Sequence, residues 1–178
     1  MGVATAAALL AALPPIAALV WVYRVLNGAG SVDRALDAFF HRPWVWVGAL
    51  VLGIVIHELI HGMAWALAAR RSLSIIRFGI SWKAMAPHAQ CTVPLPASAY
   101  RLGAAAPGVL LGVVPSLVGA VTGCGAVAVF GWLMILGAGG DLVVLWLIRS
   151  LRGDVPLRDH PTRAGCMAVA DHARRADP

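Results

Sequence analysis

Charged residues are scarce in this chain. They make up 12% of its 178 residues, whereas hydrophobic residues make up 60% and the mean hydropathy is +0.81. Soluble domains have about a quarter of their residues charged, because a globular surface has to be covered with polar groups. The composition therefore excludes an ordinary soluble domain and predicts an integral membrane protein.

Cysteine is also rare, and no run of basic residues is interleaved with aromatic ones. Cys91, Cys124 and Cys166 are scattered along the sequence, which argues against a disulfide framework. The net charge of +6 lacks the aromatic neighbours that nucleic-acid-binding proteins use, so nucleic acid is not a predicted partner. The predicted partner is the lipid bilayer.

Four apolar segments are long enough to cross a hydrocarbon core of ~30 Å, which needs about 20 helical residues. They cover residues 3–25, 44–69, 102–121 and 126–148. Only Arg24, at the end of the first segment, and Arg34 and Arg42 lie near the connection between the first two segments, whereas the other basic residues follow the second or the fourth. The positive-inside rule then predicts a multi-pass membrane protein with a cytoplasmic N-terminus and a cytoplasmic C-terminal tail.

The predicted fold class is an all-α membrane protein with about four transmembrane helices. Polar and apolar residues alternate between Ser72 and Ser98, which predicts a short β-hairpin or extended loop between the second and third spans. Residues 1–148 would form a single membrane domain. Residues 149–178 would form a polar tail with little fixed structure beyond a turn at Asp159-His160-Pro161.

The only glutamate of the chain, Glu58, lies in the second apolar segment, within His57-Glu58-Leu59-Ile60-His61. A carboxylate in a bilayer costs about 2.5 kcal/mol or more, so Glu58 needs a partner. Histidines four residues apart share one face of a helix and can bind one Zn²⁺, and the intervening glutamate can then take a proton from a zinc-bound water.

Asp141 is the only aspartate in any apolar segment, and it directly follows the glycine-rich stretch 137–140. With His57 and His61 it makes a three-ligand set that leaves one tetrahedral position open, as in catalytic zinc sites. On a rise of 1.5 Å per residue, His57 lies ~20 Å from Arg70 and Asp141 ~12 Å from Arg149. The two levels agree within one or two turns, so we predict His57, His61 and Asp141 as metal ligands and Glu58 as the catalytic base.

The residues leave several alternatives open. The polar residues of the spans could form a hydrogen-bonded cluster without a metal, and Asp141 could pair with a serine or a backbone carbonyl. His88 and Cys91 could supply a further ligand, a regulatory thiol or a substrate contact. A loop histidine and a small buried cysteine are more often structural.

Two of these motifs resemble those of a known class of membrane proteins. His57-Glu58-Leu59-Ile60-His61-Gly62, with Gly140-Asp141 on a later span, is similar to the site-2 protease class of intramembrane zinc metalloproteases. Site-2 proteases usually have Asn-Pro-Asp-Gly or Leu-Asp-Gly at the second motif, whereas this chain has Gly139-Gly140-Asp141-Leu142. The aspartate carries over, and the neighbouring residue that would help to arrange substrate does not.

The chain more closely resembles the small bacterial and archaeal membrane proteins called putative zincin peptidases, long catalogued as a domain of unknown function. This likeness also covers Pro87-His88-Ala89-Gln90-Cys91, Tyr100, Pro107-Gly108, Asp159-His160-Pro161 and Gly165-Cys166. It implies a prokaryotic cell membrane, a three-helix catalytic core, one zinc ion held by His57, His61 and Asp141, Glu58 as general base, and hydrolysis of a peptide bond in or near the membrane.

The expected substrate is a membrane-embedded or membrane-proximal protein. Its scissile bond must be extended, because carbonyls in a helix are hydrogen-bonded from i to i+4. A strand from Ile75 to Trp82 would offer an edge to which such a segment could add.

The sequence leaves two other functions open. A divalent-metal transporter would also carry intramembrane histidines and carboxylates, but no ladder of polar residues crosses the four spans. A non-catalytic membrane scaffold would keep the zinc site without the reaction, and the intact Glu58 argues against it.

Overall fold

The computed structural model of the protein describes residues 2–81, 86–160 and 165–169. Within these ranges the chain is mostly helical, with two small antiparallel sheets. The helices are α1 (Gly2–Asn27), α2 (Ser31–Phe40), α3 (Pro43–Ala68), α4 (Ala97–Pro107), α5 (Val114–Thr122), α6 (Gly125–Gly137) and α7 (Gly139–Leu147), and a π-helical segment (Gly108–Val113) joins α4 to α5. The strands are β1 (Ile76–Ser81), β2 (Ala86–Cys91), β3 (Leu95–Pro96), β4 (Pro156–Asp159) and β5 (Cys166–Ala168).

The four apolar segments of the sequence correspond to four long helical units. Val3–Asn27, Pro43–Ala68 and Ala97–Thr122 are each long and apolar enough to cross a membrane, and α6 with α7 forms a fourth unit bent by 49°. Large apolar side chains such as Leu10 and Val121 remain exposed on these helices, which suits a surface that faces lipid. The prediction of about four spans is confirmed as three or four helices of sufficient length and apolarity.

Helix α2 is absent from the sequence-based prediction. Its apolar residues Val32, Ala35, Leu36 and Phe39 recur at the spacing of one helix face. Ala35 is buried, and Val32 and Phe39 pack against a cluster that includes Trp132 of α6. The helix therefore covers one end of the bundle.

The hairpin predicted between the second and third spans is present. β1 and β2 pair antiparallel, with Phe78 opposite Ala89. The hairpin packs closely on α3 at Gly62, where a Cβ would lie 2.6 Å from Cζ of Phe78. The missing side chain of Gly62 thus lets the sheet approach the helix that carries His57, Glu58 and His61. Trp82, the predicted end of this strand, lies outside the described residues.

The tail is more ordered than predicted. β4 pairs with β3 on one side and with β5 on the other. Leu157 and Leu95 are almost fully buried, in a cluster that includes Trp65 and Tyr100. The expectation of little fixed structure is therefore wrong for β4 and β5, whereas the turn predicted at Asp159-His160-Pro161 begins where β4 ends and lies only partly within the described residues. Burial of Leu157 against the helices is the physical reason, while Pro161 and residues 170–178 lie outside the described residues.

Candidate metal centre

Three polar side chains from two helices meet inside the bundle. His57 and His61 come from one face of α3, and Asp141 comes from the first turn of α7. The two Nε2 atoms are 3.1 Å apart, and Oδ2 of Asp141 lies 3.1 Å from Nε2 of His57 and 3.3 Å from Nε2 of His61. Asp141 therefore lies against both histidines, as predicted, and within the described residues it does not pair with a serine or a backbone carbonyl.

The triangle of ligand atoms fits a zinc ion. Zinc bonds of ~2.0–2.2 Å in tetrahedral geometry put ligand atoms roughly 3.3 Å apart. Two imidazole nitrogens and a carboxylate oxygen are ligand types that suit zinc, and three protein ligands leave a fourth position for water or substrate. His57 and His61 are only 8% and 5% exposed, so water does little to solvate the converging lone pairs. A cation shared by the three side chains would satisfy them together.

A hydrogen bond to α4 determines which nitrogen of His61 faces the cluster. Nδ1 of His61 lies 2.9 Å from the backbone carbonyl oxygen of Gly103, and because a carbonyl only accepts, Nδ1 carries the proton. In the neutral ring, Nε2 then has a lone pair available for a metal. Such a carbonyl partner orients histidine ligands in zinc sites.

The ring of His61 is also fixed by packing. The Trp65 indole stacks on it, with ring centroids 5.1 Å apart and an interplanar angle of 16°, and donates from Nε1 to the carbonyl of Tyr100. A Cβ at position 103 would overlap this indole, so Gly103 allows α4 to lie against α3. This close packing holds the Gly103 carbonyl of α4 beside the ring of His61 in α3.

The bend between α6 and α7 places Asp141. α6 ends at Gly137, and α7 begins at Gly139 after a change of direction of 49°. Gly139 lies against α1, where a Cβ would overlap the carbonyl oxygen of Ala8. The close approach of α7 to α1 thus requires a glycine at position 139, whereas no neighbour lies within 4 Å of a Cβ at Gly137 or Gly140.

Glu58 lies beside the cluster and is half-buried. It is close enough to His61, His57 and Asp141 for direct Coulombic interaction. Its Oε2 accepts a hydrogen bond of 2.5 Å from the backbone N–H of Ala89 in β2. The hairpin therefore holds the carboxylate of the predicted base.

A second carboxylate, that of Asp159 in β4, accepts a hydrogen bond from β2 at a position two residues after Ala89. Its Oδ2 accepts a hydrogen bond of 2.7 Å from the N–H of Cys91, and its Oδ1 accepts one of 2.6 Å from the hydroxyl of Tyr100. Burial raises the pKa of Asp159, and these two hydrogen bonds oppose the rise. Strand β2 thus donates hydrogen bonds to two carboxylates, those of Glu58 and Asp159. Asp159 also links β4 to α4 through the hydroxyl of Tyr100.

Tyr100→Phe is expected to destabilise the protein by about 1.5–3 kcal/mol at neutral pH, because it removes a hydrogen bond to a buried charged group. Without this bond the pKa of Asp159 rises further. For an acid with a raised pKa in the folded state, the free energy of unfolding falls as pH rises through that pKa. The loss caused by the substitution should therefore be small in acid, where Asp159 is protonated, and grow toward neutral pH.

Thermal unfolding in detergent, followed by circular dichroism in phosphate-free buffers of different pH, measures this effect. Tyr23→Phe is the matched control, because the Tyr23 hydroxyl makes only a long contact of 3.5 Å with the carbonyl of Gly123. Equal losses in the two variants, or a loss at position 100 that does not depend on pH, would contradict the role assigned to the Tyr100–Asp159 bond.

The other candidate ligands lie outside the cluster. His88 is exposed on β2, and Cys91 contacts Asp159 through its backbone N–H. Neither belongs to the group of ligand atoms formed by His57, His61 and Asp141. Burial raises the pKa of the Cys91 thiol, which disfavours the reactive thiolate.

Three contributors to the site were not predicted. Trp65 follows His61 by four residues, and this spacing is the signal that could have revealed the ring stacking. Gly103 acts through its backbone carbonyl and Ala89 through its backbone N–H, groups that every residue except proline has in common. No pattern of side chains identifies them.

Two histidines on one helix, a glutamate between them and an acidic side chain from another helix define the HExxH class of zinc hydrolases. Residues 50–155 match the family model described as "Putative zincin peptidase", which is more than half of the chain. The chain belongs to this family, and the family resemblance predicted from the sequence is confirmed. Membership indicates a metallopeptidase and implies zinc as its metal. Comparisons with curated proteins and with solved structures gave no match.

Proposed function

We propose that the protein is an intramembrane zinc metallopeptidase. The observation that carries this proposal is the meeting of His57, His61 and Asp141 at 3.1–3.3 Å, with Glu58 beside them on α3. All four residues lie in helical units that are apolar enough to cross a membrane, where polar side chains are costly unless they have a function or a partner. A shared cation would be the partner of these side chains, and a hydrolytic reaction would be their function.

In this proposal His57, His61 and Asp141 would hold a zinc ion, which when bound would act as a Lewis acid toward water and the carbonyl of the scissile bond. Glu58 accepts the proton of the attacking water and then delivers it to the leaving amine. The N–H of Ala89 fixes Oε2 of this carboxylate, so Oε1 is the oxygen that carries the proton. The Gly103 carbonyl keeps His61 in the tautomer that the ligand role needs.

An apolar cavity supports a preference for apolar substrate side chains. It has a volume of about 110 Å³ and lies beside Asp141, between Pro15 of α1, Gly108 of the π-helical segment and Leu142 of α7. Asp141 is the only polar residue among those that line it. We therefore propose that it receives an apolar side chain next to the scissile bond, as expected of a substrate segment that leaves the bilayer.

The substrate segment has to be extended, and the hairpin offers a place for it. β1 pairs with β2 along one edge, and its other edge has no strand partner among the described residues. An unwound membrane segment could add there as a further strand, with β2 already in contact with Glu58. The basic residues Arg70, Arg71 and Arg77 at this end support a cytoplasmic location for the hairpin.

The experiment that tests this function is metal removal. The purified protein in detergent is expected to cleave a single-span reporter, to lose cleavage after treatment with a zinc chelator, and to regain it when zinc is restored. Cleavage and bound zinc are measured on the same samples. Cleavage that persists after complete zinc removal would reject the proposal, and zinc flux in proteoliposomes without any cleavage would favour a transporter instead.

A further inference from the structure

One edge of strand β2 points away from β1 and toward Glu58. At the end of the hairpin, the N–H of Thr92 donates to the carbonyl of Ile75 over 2.8 Å, so it points to the side of β1. Backbone N–H groups alternate between the two sides of a strand, so those of Cys91 and Ala89 point to the other side. Pro87 lies on that side too, where its missing N–H costs no ladder bond. Between Pro87 and Cys91 this outer edge of β2 therefore presents two backbone donors.

Both donors bind carboxylates instead of another strand. The N–H of Ala89 donates to Oε2 of Glu58 over 2.5 Å, and the N–H of Cys91 donates to Oδ2 of Asp159 over 2.7 Å. Hydrogen bonds to an ionised acceptor are short and strong. The two donors are about 6.6–6.8 Å apart along an extended strand. The place at which Cys91 is held therefore determines where the N–H of Ala89 lies relative to Glu58.

Asp159 itself has little freedom to move. Its strand, β4, is paired on both sides, with β3 and with β5, and its Oδ1 accepts a hydrogen bond of 2.6 Å from the hydroxyl of Tyr100. The backbone carbonyl of Tyr100 accepts the Nε1 hydrogen bond of Trp65, and the indole of Trp65 stacks on His61. The residue that fixes Asp159 thus also fixes the side chain that packs on a proposed zinc ligand.

We propose that Asp159 is a positioning residue for the reaction, which acts on Glu58 through β2. This inference rests on the metallopeptidase function proposed above. Asp159 is not part of the cluster of candidate metal ligands, and it contacts β2 through the backbone N–H of Cys91. Without this bond, only one of the two donors on the outer edge of β2 keeps its carboxylate. Glu58 then has to hold the strand, whereas now the strand holds Glu58.

The first measurement needs no substrate, because it follows the hydrogen bond between Ala89 and Glu58 directly. The Ala89 amide lies outside the β1–β2 ladder, so its exchange with solvent reports on this bond. Labelling the carbonyl carbon of histidine and the amide nitrogen of alanine gives NMR signals from two pairs, His88-Ala89 and His172-Ala173. The variant Ala89→Gly lacks the first signal and so identifies it. The sample is the full-length, zinc-loaded protein in detergent.

In Asp159→Ala we expect the Ala89 amide to exchange about tenfold faster or more, because a charge-assisted hydrogen bond that holds β2 is lost. Asp159→Asn keeps an oxygen that can accept from Cys91 and should restore most of the protection. Asp154→Ala is the matched control, since this exposed carboxylate pairs with the exposed Arg152. If Asp159→Ala does not fold, Tyr100→Phe replaces it, with a change in the same direction. Exchange no faster than in Asp154→Ala would overturn the proposal.

The second measurement is cleavage of the single-span reporter at saturating zinc. Asp159→Ala should lower kcat about tenfold and leave KM and zinc content unchanged, because Glu58 acts in the chemical step. Ala89→Pro removes the donor to Glu58 at an edge position that tolerates proline. If Asp159 acts through this donor, adding Asp159→Ala to Ala89→Pro should lower kcat no further.

Independent effects of the two substitutions, or cleavage that Asp159→Ala leaves unchanged, would overturn the proposal. Absence of zinc-dependent cleavage in the unmodified protein would instead reject the proposed function. In that case the exchange of the Ala89 amide alone decides whether Asp159 positions Glu58.

Discussion

Replacing Glu58 by glutamine is expected to lower the rate of peptide cleavage by about 10²–10⁴-fold while zinc stays bound, since general acid–base catalysis typically contributes that much. The amide has the size of the carboxylate, and its oxygen can still accept the hydrogen bond that Ala89 donates to Glu58. It cannot take a proton from water at neutral pH. The substitution therefore removes the proposed base and leaves the proposed metal ligands His57, His61 and Asp141 untouched.

The measurement pairs cleavage of the membrane-embedded reporter with zinc content of the same preparation. Asp154→Asn is the control, because it removes a carboxylate that is 58% exposed and pairs only with the exposed Arg152. Zinc retained with cleavage lost supports the assigned role. Unchanged cleavage would refute Glu58 as the base, and loss of zinc would show that Glu58 acts on the metal site itself.

Asp141→Ala is expected to weaken zinc binding by on the order of a hundredfold or more. Loss of a group that merely orients a ligand costs about 10–100-fold in metal affinity, and Asp141 would be a ligand itself. The remaining pair, His57 and His61, can offer only two nitrogen atoms, at 3.1 Å from each other. Two ligands do not complete the set of three that catalytic zinc uses.

Titration with buffered zinc, read by metal analysis after removal of free ion, gives the affinities. Asp33→Ala removes an exposed aspartate of α2 and should bind zinc like the unmodified protein. An unchanged affinity in Asp141→Ala would remove this residue from the ligand set. Since cleavage is not needed for this readout, the outcome is independent of the identity of the substrate.

The parts of the fold that depend on local composition were predictable. The spans follow from length and hydropathy, and the hairpin between Ser72 and Ser98 follows from alternation. The strands β3, β4 and β5 were missed because they are two to four residues long and pair with distant segments, as Leu95 does with Leu157. Helix α2 had a usable signal in the spacing of Val32, Ala35, Leu36 and Phe39.

In the candidate site, too, some features could be predicted from the sequence and others could not. The spacing of His57 and His61 puts them on one helix face, and Asp141 was found by elimination, because the bilayer admits so few ionisable groups. The support from Gly103 and Ala89 could not be predicted, because backbone groups become partners only after tertiary packing. The close approach of α4 to Trp65 depends on a missing side chain at position 103, which sequence alone does not distinguish from a flexible turn.

The π-helical segment Gly108–Val113 determines how far α5 is rotated relative to α4 around the axis of the third helical unit. A π turn contains about one residue more than an α turn, and one residue corresponds to a rotation of about 100° around a helix axis. Before the segment Gly103 faces His61, and after it Ser116 packs on Gly131 of α6. Deleting one residue there would rotate one half against the other by that angle. The additional residue lets one helical unit orient the ring of His61 at one end and pack against α6 at the other.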